Sequence, residues 1–307
     1  MLKVISLIKN YKNRYEAHNL YCAVMEKNLS KIVDLEKYPI HDLQSYKIKK
    51  IIEKCKAELE NDSCSVIPNF ILPNSLAVMR KELEQQLDEV YMSKESINAY
   101  LYAKDDLSLP KDHPKRIFMN RYNGYLNSDC FTKDSEMKFL YETEELLKFV
   151  SACLGISPIY RWADPLACHA YNVMEPDGIL PWHFDSCEFT LSLMIQKPEQ
   201  GGIFEYCPNI REPGNERFDE VKKVLDGDRS KVKQLELKPG DLQIFKGRFT
   251  MHRVTKIIGK TSRYMCIPAY VLDPWRVNTP EHSKAIYGKV LPIHIERNKV
   301  RSDGLAD

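Results

Sequence analysis

The 307-residue chain has no run of about 18 apolar residues, so no membrane-spanning helix is expected. It has no C-x-x-C pair, and its nine cysteines are odd in number and scattered. That pattern suits neither a disulfide framework nor a zinc ribbon and points to a reducing cytoplasm. A charge excess is also missing, since 45 Lys and Arg against 43 Asp and Glu leave a formal +2. Nucleic acids call for a basic stripe with stacking aromatics, and the charge balance gives no sign of one, so no nucleic-acid or membrane partner is expected. Residues 1–10 hold only a short apolar run between lysines, too short for a secretory signal. No internal repeat or low-complexity tract is visible. What remains is 43% hydrophobic and 29% charged, enough for one large domain or a domain with an appendage. The sequence does not set the oligomeric state, and a homodimer is kept open.

The fold class predicted is α+β: a double-stranded β-helix (jelly-roll) core with an N-terminal helical region. Three parts are expected: a helical support region over 1–62, a β-roll domain over 63–275, and an extension over 276–307. Within residues 15–60, Tyr46, Ile48, Ile51, Ile52 and Cys55 recur at helical spacing. A second helix is predicted over 76–91 with Asn74 or Ser75 as its cap, and a third over 135–154 closed by Gly155. Residues 93–114 read as loop, and 116–125 as strand with a turn at Asn123-Gly124. From residue 159 the texture becomes β, with eight short runs bounded by Gly, Pro or Asp. Phe189, Leu191, Leu193 and Ile195 alternate as a strand with one buried face should. The polar stretch 209–234 reads as an insert with a possible helix over 218–225, either a lid or a solvated excursion. Residues 301–307 are expected to be mobile.

The chemistry-bearing pattern is Trp182-His183-Phe184-Asp185, then His252, then Arg263. On extended backbone His183 and Asp185 leave the same face, and a β-roll can bring His252 beside them. Two imidazoles and one carboxylate make a three-donor face that leaves other metal positions open, as in non-haem Fe(II) oxygenases. Arg263 sits in the otherwise apolar run Ser262-Arg263-Tyr264-Met265-Cys266-Ile267. A buried guanidinium requires an anion, and its donor fork matches a carboxylate; an outward-facing surface arginine is the plainer alternative.

The order His-x-Asp, Gly201-Gly202-Ile203-Phe204-Glu205-Tyr206, Lys238-Pro239-Gly240-Asp241, His252, Arg263 resembles the Fe(II)/2-oxoglutarate-dependent dioxygenase superfamily. The resemblance covers about 65–272 and implies that His183, Asp185 and His252 bind Fe(II) as the catalytic metal ligands. It implies that 2-oxoglutarate chelates the metal, its distal carboxylate on Arg263, and that O2 is consumed with release of succinate and CO2. Halogenases of this superfamily replace the metal-binding carboxylate with a small residue, so Asp185 implies hydroxylation. A narrower resemblance, carried by Trp182 to Phe189 and the Gly-Gly strand, is to free amino acid hydroxylases and halogenases of the lysine type. It implies Arg121 (or Arg116) for a substrate carboxylate, Asp164 or Glu188 for an amine, and Trp182 lining the pocket. Tyr171 or Asn172 is a candidate donor to 2-oxoglutarate. His169 reads as a wall histidine and His113, His282 and His294 as surface ones. The partner expected is a small molecule, a free amino acid first. Two alternatives are a protein side chain or nucleic acid base as substrate, and a catalytically silent β-roll.

Overall fold

The computed structural model describes residues 28–299 and 301–306. The apolar run in 1–10 and the early part of the expected N-terminal helix lie outside the described residues. Eight α-helices are described: α1 (Leu29–Ile32), α2 (Tyr46–Asp62), α3 (Pro73–Glu84), α4 (Glu136–Glu142), α5 (Glu144–Leu154), α6 (Phe218–Leu225), α7 (Pro280–Tyr287) and α8 (Pro292–Glu296). The first strands are β1 (Cys64–Ile67), β2 (Tyr91–Ile97), β3 (Met119–Leu126), β4 (Tyr160–Arg161), β5 (His169–Met174), β6 (Leu180–His183) and β7 (Phe189–Gln196). They are followed by β8 (Gln200–Gly201), β9 (Phe204–Cys207), β10 (Lys233–Leu235), β11 (Leu242–Phe245), β12 (Met251–Val254), β13 (Ile257–Ile258) and β14 (Arg263–Val271).

The larger sheet runs β1-β11-β7-β14-β5-β3-β2, with β4 beside β14; the smaller runs β10-β9-β12-β6. Met174 and Phe245 of the larger sheet share a buried cluster with Leu180, Phe204, Tyr206 and Val254 of the smaller. The two sheets therefore close on each other as a jelly roll, the fold class expected. Helices α2 to α5 cover the outer face of the larger sheet. Ile48, Ile52, Met79, Leu140 and Phe149 pack there against Tyr171, Leu191, Leu193, Ile244 and Tyr270. The apolar alternation of β7 thus faces the helices and not the roll, and both faces of that strand are covered.

Several local expectations are corrected. α3 starts at Pro73, whose fixed φ and missing N–H suit the first helical position, while Ser75 bonds Glu136 instead of capping. Residues 135–154 form two helices, because Thr143 is extended and caps α5 through a bond from Leu146 N at 3.4 Å. β2 occupies part of the stretch read as loop; it is an edge strand whose exposed Lys94 leaves no apolar run to detect. β3 runs straight through Asn123-Gly124, which pair with Ser93 and Met92. Gly124 is there for closeness, since a Cβ would collide with the Met92 sulfur. The 209–234 stretch is no solvated excursion, because Val221 and Val224 of α6 pack against Tyr100, Trp182 and Phe184.

The C-terminal residues are pinned, contrary to expectation. Arg301 Nη1 donates to Glu188 at 3.0 Å, and fully buried Arg248 grips Asp303 through Nε and through Nη2 at 2.9 Å. Burial would raise the Asp303 carboxyl, but the hydrogen bond and charge of Arg248 outweigh it and hold it below its ordinary value. Asp303→Ala should cost about 3 kcal/mol by leaving a buried guanidinium short of its anion. A carboxylate depressed on folding stabilises above its unfolded pKa of about 3.9 and loses that contribution as pH falls through the lower folded value. Urea unfolding should therefore give the full difference between wild type and variant near neutral pH and a shrinking one below about pH 4; equal stabilities at neutral pH would refute the clamp.

Candidate metal centre

His183 ends β6 and His252 lies directly opposite it on β12. Between that pair and the next, Val254 with Leu180, three steps of β6 match two of β12. This bulge resets the side-chain alternation, so that Leu180 and His183 both reach the central cavity. Pro181 sits in the bulge, where a strand tolerates a residue without an N–H.

The two imidazoles lie 4.1 Å apart between ring centroids. Each Nδ1 meets the carbonyl two residues back: His183 with Pro181 O at 2.8 Å and His252 with Thr250 O at 2.9 Å. A proton on Nδ1 satisfies that carbonyl and leaves Nε2 as a bare acceptor, the form that binds a metal. Asp185 Oδ1 stands 3.4 Å from His252 Nε2 and 3.8 Å from His183 Nε2. Its other oxygen accepts from Thr190 Oγ1 at 2.6 Å, and its N–H donates to Gly247 O at 3.2 Å. Gly247 carries no side chain for a clear reason, since a Cβ there would fall on Asp185 Oδ2.

Burial, then the neighbouring His252, pulls His183 down to about 3, so it is neutral at physiological pH. Burial pushes Asp185 the other way, but the attraction and hydrogen bonding of His252 outweigh it and leave the carboxyl at about 2. A neutral His183 imidazole and an ionised Asp185 thus face the same point as His252. Among the described residues this is the one group of three His, Cys, Asp or Glu whose donor atoms lie within 4.8 Å of each other. The donor set fits a first-row dication with positions left for other ligands.

Arg263 opens β14 on the face that also carries Ile267 and Ala269 of the cavity wall. It is 3% exposed, and its Nε has no hydrogen-bond partner among the described residues. Burial pulls it down to about 10, with Tyr125 opposing. Tyr125 itself lines the cavity holding His183 and Asp185. Arg121 lines it too, at 1% exposed. Its Nε donates to Asn123 at 2.5 Å and Nη1 to Glu95 at 3.2 Å, while Nη2 has no partner.

Five sequence candidates go elsewhere. Tyr171 is fully buried against the helical layer beside Phe131; period-two alternation turns Ala170, Asn172 and Met174 inward instead. Asp164 is fully buried and saturated, accepting from Leu166 N at 2.9 Å, Ala167 N at 3.2 Å and both Asn278 donors at 2.9 Å, with His294 at 3.3 Å. His294 is therefore a core residue and not a surface one. Glu188 is held by Arg301. The β6 bulge sends Trp182 outward to Phe184 and Met251, with the Arg253 guanidinium 4.8 Å from its ring. Arg116 binds Asp105 through two bonds, away from the cavity. His282, expected at the surface, joins the cavity wall. Sequence reading missed Thr190, Gly247 and Tyr125. Only Tyr125 had a signal, its i+4 spacing from Arg121 on one strand face.

A family model described as Halogenase D matches residues 48–274. No curated protein sequence matches the chain. Among solved structures, AviO1 from Streptomyces viridochromogenes Tue57 is 15% identical with a TM-score of 0.52, over 74% of this chain and 97% of that one. An oxidoreductase of the 2OG-Fe(II) oxygenase family from Burkholderia pseudomallei is 12% identical with a TM-score of 0.47, over 73% and 92%. At such identities the likeness to AviO1 is one of fold.

The packing around Asp185 makes Gly247→Ala a test of the centre. The added methyl should displace the carboxylate and weaken Fe(II) or Mn(II) binding about 10–100-fold, and Thr190→Val should weaken it less, both with native circular dichroism. Anaerobic metal titration reads both, and unchanged affinity in Gly247→Ala would remove Asp185 from the ion.

Proposed function

The chain belongs to the halogenase D family, and from that premise we propose an Fe(II)- and 2-oxoglutarate-dependent oxygenase that hydroxylates an unactivated C–H bond of a small carboxylate, a free amino acid. The observation that carries this reading is the pairing of a three-donor cluster with a buried guanidinium, Arg263, whose Nε lacks a partner. A carboxylate alongside an iron chelated by the same molecule answers both needs at once.

When bound, Fe(II) with 2-oxoglutarate and O2 supplies the oxidising power, with 2-oxoglutarate leaving as succinate and CO2. The chain's own residues do the rest. His183, Asp185 and His252 would hold the ion, with the Pro181 and Thr250 carbonyls accepting from each Nδ1 to orient the imidazoles. Thr190 fixes the carboxylate plane, Arg263 takes the distal carboxylate of the co-substrate, and the buried walls keep water from the reacting centre. Arg121 offers Nη2 to the substrate carboxylate. Asp185 supports hydroxylation over halogenation, because a halide would need the position its carboxylate fills. The lysine-like form of the reading has no acid to meet a side-chain amine, since Asp164 and Glu188 are both spent elsewhere.

A catalytically silent roll has no account of the unpartnered Arg263. A macromolecular substrate finds little support in a cavity walled on one side by His282, Ile286 and Tyr287 of α7.

Succinate release should depend on Fe(II), 2-oxoglutarate, O2 and at least one of the twenty amino acids. His252→Ala should lose turnover while its unfolding midpoint stays put. Arg263→Gln should raise the 2-oxoglutarate requirement about a hundredfold. Succinate release independent of iron, or an Arg263→Gln enzyme with unchanged 2-oxoglutarate KM, would end the proposal.

A further inference from the structure

Taking as given that the cavity beside His183 and Asp185 receives the substrate, we infer that this substrate is a carboxylate with an uncharged, mainly apolar body. The cavity is compact, and the roughly 560 Å³ of empty space there includes its opening to solvent. Leu101, Trp162, Ala170, Ile267, Ala269 and Ile286 make much of its wall. Such a surface binds an aliphatic chain by removing both from water.

Two buried donor groups in that wall lack a partner. Arg121 presents Nη2 without a partner, and the Trp162 indole N–H also has none; both side chains are more than nine-tenths buried. These are donor-only groups, so each is satisfied by an acceptor on the ligand. Asp185 is the one carboxylate in the wall, and its oxygens already face Thr190 and the two imidazoles. Glu95 touches Arg121 from the edge strand β2, outside the wall, and accepts from Ser93 Oγ at 2.9 Å as well. A second ammonium, at the end of the chain away from the carboxylate, would bring three donors against the apolar part of the wall. Such a charge, desolvated without an anion, is strongly disfavoured. A carboxylate meets Arg121 and leaves its aliphatic body against the apolar wall.

The test is anaerobic calorimetry on protein loaded with Fe(II) and 2-oxoglutarate, using norleucine, hexanoate, lysine and glutamate as ligands. Norleucine or hexanoate should bind at least about tenfold tighter than lysine or glutamate. Arg121→Gln should weaken that binding about a hundredfold with an unchanged unfolding midpoint. Ile286→Glu, an acid set into the wall, should narrow the preference for norleucine over lysine at least about tenfold. Lysine or glutamate binding as tightly as norleucine would overturn the inference, as would a panel in which nothing binds or an Ile286→Glu preference that stays put. Aerobic succinate release, run in parallel, separates the two claims. Norleucine that binds tightly to a protein releasing succinate with neither norleucine nor any of the twenty amino acids sinks the hydroxylase reading and leaves the ligand class standing.

Discussion

Two imidazoles and one carboxylate aimed at one point are the feature around which this protein is arranged. His183 and His252 each spend their ring N–H on a main-chain carbonyl, and Asp185 sits low enough in pKa to remain charged. A cation at that point would meet all three at once. The β6–β12 pairing supplies the geometry, since one register match places both imidazoles and one bulge turns His183 inward beside Leu180.

The division of labour between the faces of the larger sheet follows from the same need. Helices α2 to α5 bury its outer face, and most of the apolar residues of β7 and β11 go there. That packing bears much of the stability and frees the inner face for polar side chains. Asn172, Thr190, Gln243 and Arg263 are all at most 5% exposed. Burying polar groups is costly unless each has a partner. Thr190 has Asp185, and Asn172 has the Gly124 carbonyl. Arg263 and Arg121 each retain an unmatched donor. Those two mismatches fall at the places where a co-substrate and a substrate are proposed to sit.

How much of this was readable before the fold depends on the range of the physics. The clustering of His183, Asp185 and His252 and the burial of Arg263 were legible because their signal is the order and spacing of rare residue types, which survives any local irregularity. The jelly roll was legible from short runs bounded by turn formers. Strand parity was not, because one extra residue inverts it: the β6 bulge carries Trp182 to the outer cluster, and β5 turns Tyr171 to the helices while Asn172 faces in. Asp164 and Glu188 were misread for a different reason. Their partners, Asn278, His294 and Arg301, lie more than 110 residues away in the chain, where spacing carries no information. The pinned C-terminus failed the same way, its anchor Arg248 being itself invisible as a buried cation until folded.

The identity of residue 185 carries a consequence beyond itself. In a family named for halogenation, a carboxylate here could be a late substitution into a pocket shaped for something smaller. Its surroundings argue the other way. Thr190 directs its hydroxyl at Oδ2, and Gly247 offers its carbonyl to the Asp185 N–H while giving up any side chain where that oxygen lies. With a small residue at 185, the Thr190 hydroxyl would lose its acceptor and the space over Gly247 would be a void, each a cost without a return. The three positions make sense together only around a carboxylate. On that argument the packing around residue 185 is matched to a carboxylate, which is what the proposed hydroxylation needs.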